Sequence, residues 1–157
     1  MRKAILGLKY KFASQIAEDL AEFVINNLEK SKLTFGKNAR FTTIPLYWRR
    51  ENWRGFNQSE LIGRAISSKL GWDFKPDLLK REKFVKPQTE LRGEERRQNI
   101  RGVFALNSKY QLTNQLINQS LILFDDVWTT GATIKEAAKV LKRAGAKQVW
   151  GLTLART

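Results

Sequence analysis

LILFDDVWTTGAT, at residues 121–133, decides the fold, because it places a buried strand directly before a small, hydroxyl-rich turn and the start of a helix. Four consecutive apolar residues are typical of a parallel strand that is covered on both faces. Two carboxylates, Asp125 and Asp126, follow at the carboxyl end of this strand, where open α/β sheets bind their ligands. The segment therefore predicts an α/β fold with a mostly parallel sheet, and it also predicts where the functional site lies.

The turn after the two acids has the composition of a phosphate-binding helix start. Backbone N–H groups and the helix dipole favour a bound phosphate there, and Gly131 lets the backbone approach the anion closely. The two carboxylates are acceptors, suited to diol hydroxyls or to the shell of a Mg²⁺ ion. Taken alone, the two carboxylates could belong to a solvated turn, and the hydroxyl-rich turn could be a capped helix start. The joint occurrence of the acid pair and this turn after four apolar residues predicts a ribose 5-phosphate site. Its predicted phosphate loop comprises Thr129, Thr130, Gly131, Ala132 and Thr133.

Outward from this segment, hydrophobic periodicity predicts helices on both sides of the sheet. One helix is predicted over residues 12–30, and its core-facing residues are Phe12, Ile16, Leu20, Phe23, Val24 and Leu28. A second helix is predicted from Asn57, as the N-cap of a capping box with Glu60, to Gly71. A third follows the phosphate loop and leads to a parallel strand over 149–154, while residues 41–46 form an earlier strand. We expect one domain over residues 1–157.

Composition narrows the chemistry further. The chain of 157 residues has no Cys and no His, which excludes disulfides, thiolate metal sites and imidazole bases, and no zinc is expected. The formal charge of +14 favours a polyanionic ligand, and the three acids after residue 96 include the adjacent pair Asp125 and Asp126. There is no Walker-type loop and no dinucleotide-binding glycine turn. Without a signal sequence or an apolar span, we expect a cytoplasmic protein that does not insert into membranes.

Residues 121–133 resemble the phosphoribosyl pyrophosphate motif of type I phosphoribosyltransferases, except that Trp128 replaces a more usual aliphatic residue. Nearly the whole chain is similar to one branch, the ComF family. The segments that carry this resemblance are Ile44-Pro-Leu, Arg54-Gly-Phe-Asn-Gln58, Pro87-Gln88, Glu95-Arg-Arg-Gln-Asn99, Arg101-Gly-Val-Phe104 and Leu154-Ala-Arg-Thr157. Members of this family commonly begin with a cysteine-rich zinc module, which this sequence lacks.

The resemblance implies further site residues. A pyrophosphate-binding loop falls on Tyr47, Arg49 and Arg50, where the family often has His in place of Tyr47. A mobile hood falls on residues 80–104 and would bring Arg81, Lys86, Gln88 and Arg96 towards the ligand. Asp125 and Asp126 become the catalytic acids, which hold the ribose hydroxyls, stabilise positive charge at the anomeric carbon and contact Mg²⁺ indirectly.

Three functions remain open on this basis. The first is a ComF-like role in DNA uptake by competent bacteria, in which phosphoribosyl pyrophosphate or a nucleotide, single-stranded DNA and a competence helicase would be the partners. The second is an active phosphoribosyltransferase of nucleotide salvage or biosynthesis, and the third is a nucleotide-sensing regulator without turnover. The fold does not choose among them, and neither the acceptor base nor the oligomeric state can be read from the sequence.

Overall fold

The computed structural model describes residues 2–33, 35, 39–46, 56–83, 99–111, 116 and 118–156, and for residues 2–11 the description is of the backbone. Its helices are α1 (Arg2–Ser31), α2 (Gln58–Leu70), α3 (Ser108–Gln111) and α4 (Ala132–Arg143). Its strands are β1 (Arg40–Thr43), β2 (Asp73–Phe74), β3 (Leu79–Arg81), β4 (Phe104–Leu106), β5 (Ser120–Trp128) and β6 (Gln148–Arg156).

Four of these strands form one parallel sheet in the order β2-β1-β5-β6. β1 pairs with β5 only as far as Thr43 opposite Phe124, whereas β6 follows β5 to Trp128 opposite Arg156. β5 is therefore longer than the apolar run, residues 121–124, from which the strand is predicted. Its last residues are paired on one side only, since β1 has already ended.

Alternation along β5 divides the core into two layers. Leu121 and Leu123 pack in the cluster that contains the buried face of α4, while Ile122 and Phe124 pack with α1 and α2. All four side chains are at most 1% exposed. A continuous apolar run is required here because both faces of the strand are covered, as a parallel sheet demands. The predicted α/β fold with flanking helices is confirmed.

The predicted core face of α1 is partly wrong. Val24 is buried, and Leu20 and Leu28 pack at the edge of the core, but Phe12, Ile16 and Phe23 are 64%, 57% and 56% exposed. The small residues Ala17 and Ala21 take the central buried positions, at 4% and 0% exposure. The apolar arc of the helix is wider than the area that the core covers. Periodicity alone therefore does not distinguish the apolar residues that face the core from those that stay exposed. The helix also begins earlier than predicted, at Arg2.

Helix α2 has the predicted ends. The Asn57 side chain accepts the Ser59 N–H at 3.1 Å, and Gly71 closes the helix with a left-handed φ of 68°. The capping-box role predicted for Glu60 is not what the structure records, because this carboxylate accepts a hydrogen bond from Arg64 at 3.0 Å one turn later. Asn57 also donates to the Ile44 carbonyl at 3.3 Å, which ties the start of α2 to the chain leaving β1.

The segment predicted as a hood is anchored by regular structure at both ends. Arg81 lies in strand β3 rather than in a loop, opposite Phe104 of β4 in a two-stranded antiparallel ladder. This β3–β4 ladder, the stem of the predicted hood, places the start and the end of the hood segment side by side. The remaining residues predicted for the hood, Lys86, Gln88 and Arg96, lie outside the described residues.

Candidate functional site

The acidic pair lies at a step in the sheet. Beyond Phe124, β5 continues along β6, but on the other side the chain of β1 leaves the sheet after the Ile44 N–H has donated to the Phe124 carbonyl at 2.9 Å. Asp125 and Asp126 are the next two residues of β5. They are therefore held by a paired strand and at the same time border the space beyond the end of β1.

The two acids belong to opposite faces of β5. Asp126 shares its face with Ile122 and Phe124 and lines a cavity of about 280 Å³ beside α1 and α2. Asp125 belongs to the face of Leu123 and is influenced by the positive charge of Arg81. The Asp126 N–H donates to Asp125 Oδ1 at 3.1 Å, so the first carboxylate is oriented by the backbone of the second.

The pKa of Asp125 is raised to about 7, mainly because burial removes water from the carboxylate and further because of the negative charge of Asp126. The nearby Arg81 opposes this shift. A carboxylate with such a pKa changes charge near neutral pH. A cation or a hydroxyl donor that approaches it would stabilise its charged form. The acid pair is thus partly buried and electrostatically coupled, unlike the carboxylates of a solvated turn.

Among the described residues, Arg81 is a cation whose charge acts on Asp125. Its guanidinium lies 5.7 Å from the centre of the Phe104 ring, across the β3–β4 ladder, and the side chain is half-buried. Together with Pro45, Leu46, Asn57 and Lys80, it lines a cavity of about 370 Å³ at the carboxyl end of β1. The acids Glu60 and Asp77 also line this cavity, so its wall presents charges of both signs, and an anion would be attracted at the part formed by Lys80 and Arg81.

The residues predicted to bind pyrophosphate follow in the sequence directly after two residues that line this cavity. Pro45 and Leu46 line it, and the next residues in the chain are Tyr47 to Arg50. Tyr47, Arg49 and Arg50 lie outside the described residues, so their assignment to a pyrophosphate site stays a prediction.

The predicted phosphate loop connects β5 directly to α4. Gly131 precedes the helix with a left-handed φ of 70°, the Thr130 hydroxyl accepts the Ala132 N–H at 3.4 Å, and the Gly131 carbonyl accepts the Lys135 N–H. Gly131, which occupies the N-cap position, has no side chain that could accept an N–H of the first turn. The first-turn N–H groups of α4, which have no partner within the helix itself, therefore belong to the end of the helix that this loop forms.

Trp128 gives this loop its tight shape, a role that the sequence did not indicate. A Cβ atom built on Gly131 would lie 2.8 Å from Trp128 Cε2, so the ring packs directly over the glycine. Trp128 also packs against the core cluster of α4. Gly131 is therefore required for two reasons, its positive φ and the closeness of the indole. A tryptophan three residues before a glycine was a possible signal, but nothing in the sequence shows that the two touch.

Glu136 is a second residue whose position the sequence did not reveal. Its carboxylate accepts the Gly102 N–H at 2.9 Å and pairs with Lys139 at 2.9 Å. The hydrogen bond from Gly102, followed by the partnership with Lys139, lowers the pKa of Glu136, while burial opposes this effect. The returning end of the predicted hood is thus attached to α4, the helix that follows the predicted phosphate loop.

Three relatives show which known proteins the chain is similar to. It is 33% identical over 150 residues to DNA utilization protein YhgH of Escherichia coli O157:H7, covering 92% of the chain and 63% of that protein. It is 32% identical over 158 residues to Competence protein F of Haemophilus influenzae, covering 97% and 68%. It is 32% identical over 149 residues to Competence protein ComFC of Streptococcus pneumoniae, covering 95% and 56%. The chain thus spans 56% to 68% of the length of these relatives. No protein-family model matches it.

Solved structures agree on the fold. Glutamine phosphoribosylpyrophosphate amidotransferase from B. subtilis, in complex with ADP and GMP, superposes with a TM-score of 0.51 at 15% identity over 90% of the chain and 26% of the enzyme. A structure described as the allosteric regulatory enzyme of purine biosynthesis gives 0.50 at 15% identity over 88% of the chain and 25% of that enzyme. At this identity the likeness concerns the fold alone. None of the helices in the described part of the chain combines the length and apolar character that crossing a bilayer requires.

Proposed function

The chain belongs to the ComF/YhgH family of competence proteins with the type I phosphoribosyltransferase fold, and on this basis we propose that it binds phosphoribosyl pyrophosphate, or ribose 5-phosphate, at residues 125–133. The observation that carries the proposal is the direct succession of the acid pair, left-handed Gly131 and the start of α4 at the step in the sheet. Acceptors for a diol and donors for a phosphate then lie within one short segment.

Each part of the ligand has a chemically suited partner. The backbone N–H groups of Thr129 to Thr133 and their hydroxyls would hold the 5-phosphate, and Asp125 and Asp126 would accept the ribose hydroxyls. The diphosphate would extend into the cavity near Arg81, where Tyr47, Arg49 and Arg50 follow in the chain. Mg²⁺ fits this donor set, since two carboxylates can hold its water shell while the diphosphate supplies the other oxygens, and it would neutralise the diphosphate.

If turnover occurs, pyrophosphate leaves the anomeric carbon as a nitrogen nucleophile attacks, through an oxocarbenium-like state. The chain would contribute the fixed position of the sugar and the negative charge of Asp125 and Asp126 near the developing cation. The hood would exclude water once its stem, β3 and β4, holds it over the site. The acceptor base is a separate question for an assay.

Calorimetric titration with phosphoribosyl pyrophosphate and Mg²⁺ tests the sugar-phosphate site. We expect binding by the wild-type protein and a loss of at least about tenfold in affinity in Asp126→Asn and in Thr130→Ala, as each removes a hydrogen bond to a charged or buried group. Asp73→Asn is the matched control, because Asp73 opposes Arg40 at the other end of the sheet. Absence of binding to the wild type would exclude the proposal, and release of pyrophosphate with a screened base would establish the enzyme over the regulator.

We also propose that single-stranded DNA binds the chain in a competence role, for which an exposed basic surface on and after α4 is the supporting observation. The described residues of this surface carry five exposed cations for one half-buried acid, Glu136. The cations are Lys135, Lys139, Lys142, Arg143 and Lys147. Such a surface attracts a phosphate backbone in a salt-dependent manner. A helicase partner in DNA uptake is part of the same proposal.

Fluorescence anisotropy with a labelled oligonucleotide tests the DNA proposal. Arg143→Gln/Lys147→Gln removes two exposed cations that form no salt bridge among the described residues, so we expect roughly tenfold weaker binding and a shallower salt dependence. Lys75→Gln/Lys109→Gln removes the same charge from lysines already paired with Asp73 and Asp77, and it should change the affinity less than about threefold. Equal effects of both variants would contradict a defined DNA surface.

A further inference from the structure

The exposed side of α1 carries a narrow apolar stripe that the monomer leaves uncovered. Phe12, Ile16 and Phe23 are all more than half exposed, whereas buried Ala17, Ala21 and Val24 face the core. At 3.6 residues per turn, Phe12, Ile16, Asp19 and Phe23 fall within an arc of about 60° on the outer side of the helix. Three large apolar side chains in line on one helix form a coherent surface, unlike scattered exposed residues.

The charges of α1 are segregated along its length. The sequence from residue 2 to residue 11 contains four basic residues and no acid, and the sequence from 12 to 29 contains four acids and no basic residue. The acids are Glu18, Asp19, Glu22 and Glu29. Glu18 and Glu22 pair with Lys69 of α2, but among the described residues Asp19 and Glu29 form no salt bridge. Asp19 is the acid that lies within the apolar stripe.

We infer that the outer face of α1 binds the same face of a second copy of this chain, with the two helices antiparallel. Only the antiparallel direction brings the basic half of each helix to the acidic half of the other, and a twofold axis makes the contact self-complementary. A parallel pair would place like charges together. The partner that fits this surface is therefore another copy of the chain.

The sequence spacing supports one particular register. By sequence position, the stripe continues towards the N-terminus through Ile5, Leu8 and Lys9. If the twofold axis passes at the level of residue 14, Phe12 lies opposite Ile16 of the other copy, and Lys9 opposite Asp19. The same register sets Ile5 opposite Phe23, so apolar positions meet apolar positions and the one acid of the stripe meets a lysine. Each of these pairs occurs twice in the dimer.

A cavity beside the stripe gives the second copy a place to insert a large side chain. This is the cavity of about 280 Å³ that Asp126 also lines, and Ala13, Ile16, Ala17 and Leu20 of α1 contribute to its mostly apolar wall. In the proposed register Phe12 of the other copy approaches Ile16, at the rim of this cavity. A 30-residue helix is about 45 Å long, which suffices for an interface of the standard total size of roughly 1,600 Å².

Sedimentation equilibrium of the whole chain at physiological ionic strength tests the inference, because the net charge of +14 opposes self-association at low salt. We expect the mass to rise with concentration towards twice the 18.2 kDa of one chain. Phe23→Asp should weaken the dimer at least about tenfold, since it places a charge at an apolar position of the stripe, opposite Ile5 of the other copy. A wild type that stays monomeric up to several hundred micromolar overturns the inference.

Charge exchange tests the register. Asp19→Lys should weaken the dimer about tenfold, and Lys9→Asp/Asp19→Lys should restore it to within about threefold, because the exchanged pairs attract again. Glu29→Lys is the matched control: it makes the same charge change on the same helix away from the stripe, and the dimer should persist. Circular dichroism checks that each variant is folded. Equal weakening by Asp19→Lys and Glu29→Lys, or a double variant no better than Asp19→Lys, overturns the proposed pairing.

Discussion

Helix α1 and the segment from β5 to α4 are both rich in apolar residues, yet they use them differently. Along β5, the side chains from Leu121 to Phe124 are all buried, because the strand has packed layers on both faces. On α1 the apolar arc is wider than the core that it meets, and small alanines occupy the closest contact. Every apolar residue of the strand from Leu121 to Phe124 is therefore buried in one of the two core layers. On the helix, by contrast, some apolar residues lie outside the core of the monomer.

The largest expected effect that sharpens this contrast comes from Leu123→Ala. The side chain is fully buried between β5 and α4, so its truncation leaves a cavity and should lower the free energy of unfolding by about 2–5 kcal/mol. Urea denaturation followed by circular dichroism measures this change. A loss below about 1 kcal/mol would mean that the layer is not close-packed.

The second largest effect is expected at Gly131, in the predicted phosphate loop, where the chain is tightly packed. Gly131→Ala should cost about 2 kcal/mol in stability, because the new methyl group meets the Trp128 ring and the left-handed φ of 70° disfavours any side chain. Trp128→Ala/Gly131→Ala removes the steric part, so Gly131→Ala should cost less in that background than in the wild type. Equal costs in the two backgrounds would show that the indole does not press on Gly131.

A smaller effect, a loss of about 1 kcal/mol between pH 6 and pH 7, is expected from titration at the same strand. The pKa of Asp125 is raised to about 7 by burial and by Asp126, so between its ordinary pKa of 3.8 and 7 the folded chain holds a proton that the unfolded chain has released. This group therefore lowers the free energy of unfolding as the pH rises through that window, and the effect levels off above it.

Thermal melting of the wild type and of Asp125→Asn across this pH range isolates the contribution, because other groups titrate in both proteins. The wild type should lose stability relative to the variant as the pH rises. A constant difference between the two melting temperatures would contradict the raised pKa.

The smallest effect is expected on α1, where Phe23→Ala removes a larger side chain than Leu123→Ala does. Because Phe23 is 56% exposed, the free energy of unfolding of the dilute monomer should change by less than about 0.5 kcal/mol. Urea denaturation at low micromolar concentration measures it. A loss comparable to that of Leu123→Ala would place Phe23 in the core and reverse the comparison.

Sequence reasoning succeeded where one physical pattern allows one solution. The apolar run before Asp125 required a strand covered on both faces, Asn57 and Gly71 have strong end preferences for a helix, and the structure has all of these features. For the candidate site, the sequence indicated the acid pair and the loop through Thr133, and the structure adds their place at the step in the sheet. The binding itself stays a prediction.

The sequence could not reveal features that depend on contacts between distant segments. The Gly102 N–H reaches Glu136 across more than thirty positions. The charge of Arg81 likewise influences Asp125, which lies more than forty positions later in the chain. The face of α1 was misassigned for a related reason, since the core selects alanines for close helix contact while larger residues satisfy the same periodicity. Lys86, Gln88 and Arg96 remain predictions of the family resemblance.

The most direct test of the sugar-phosphate site is a two-dimensional amide NMR titration of the ¹⁵N-labelled chain with ribose 5-phosphate. A phosphate held by the start of α4 should shift the amide signals of residues 129–134 most strongly, because their N–H groups would donate to it. The amides of Asp73 and Phe74 in β2, at the other end of the sheet, should stay nearly unchanged and serve as the internal control. Saturable shifts confined to the loop and to Asp125 and Asp126 are the predicted result, and unshifted loop signals at saturating ligand would contradict the account.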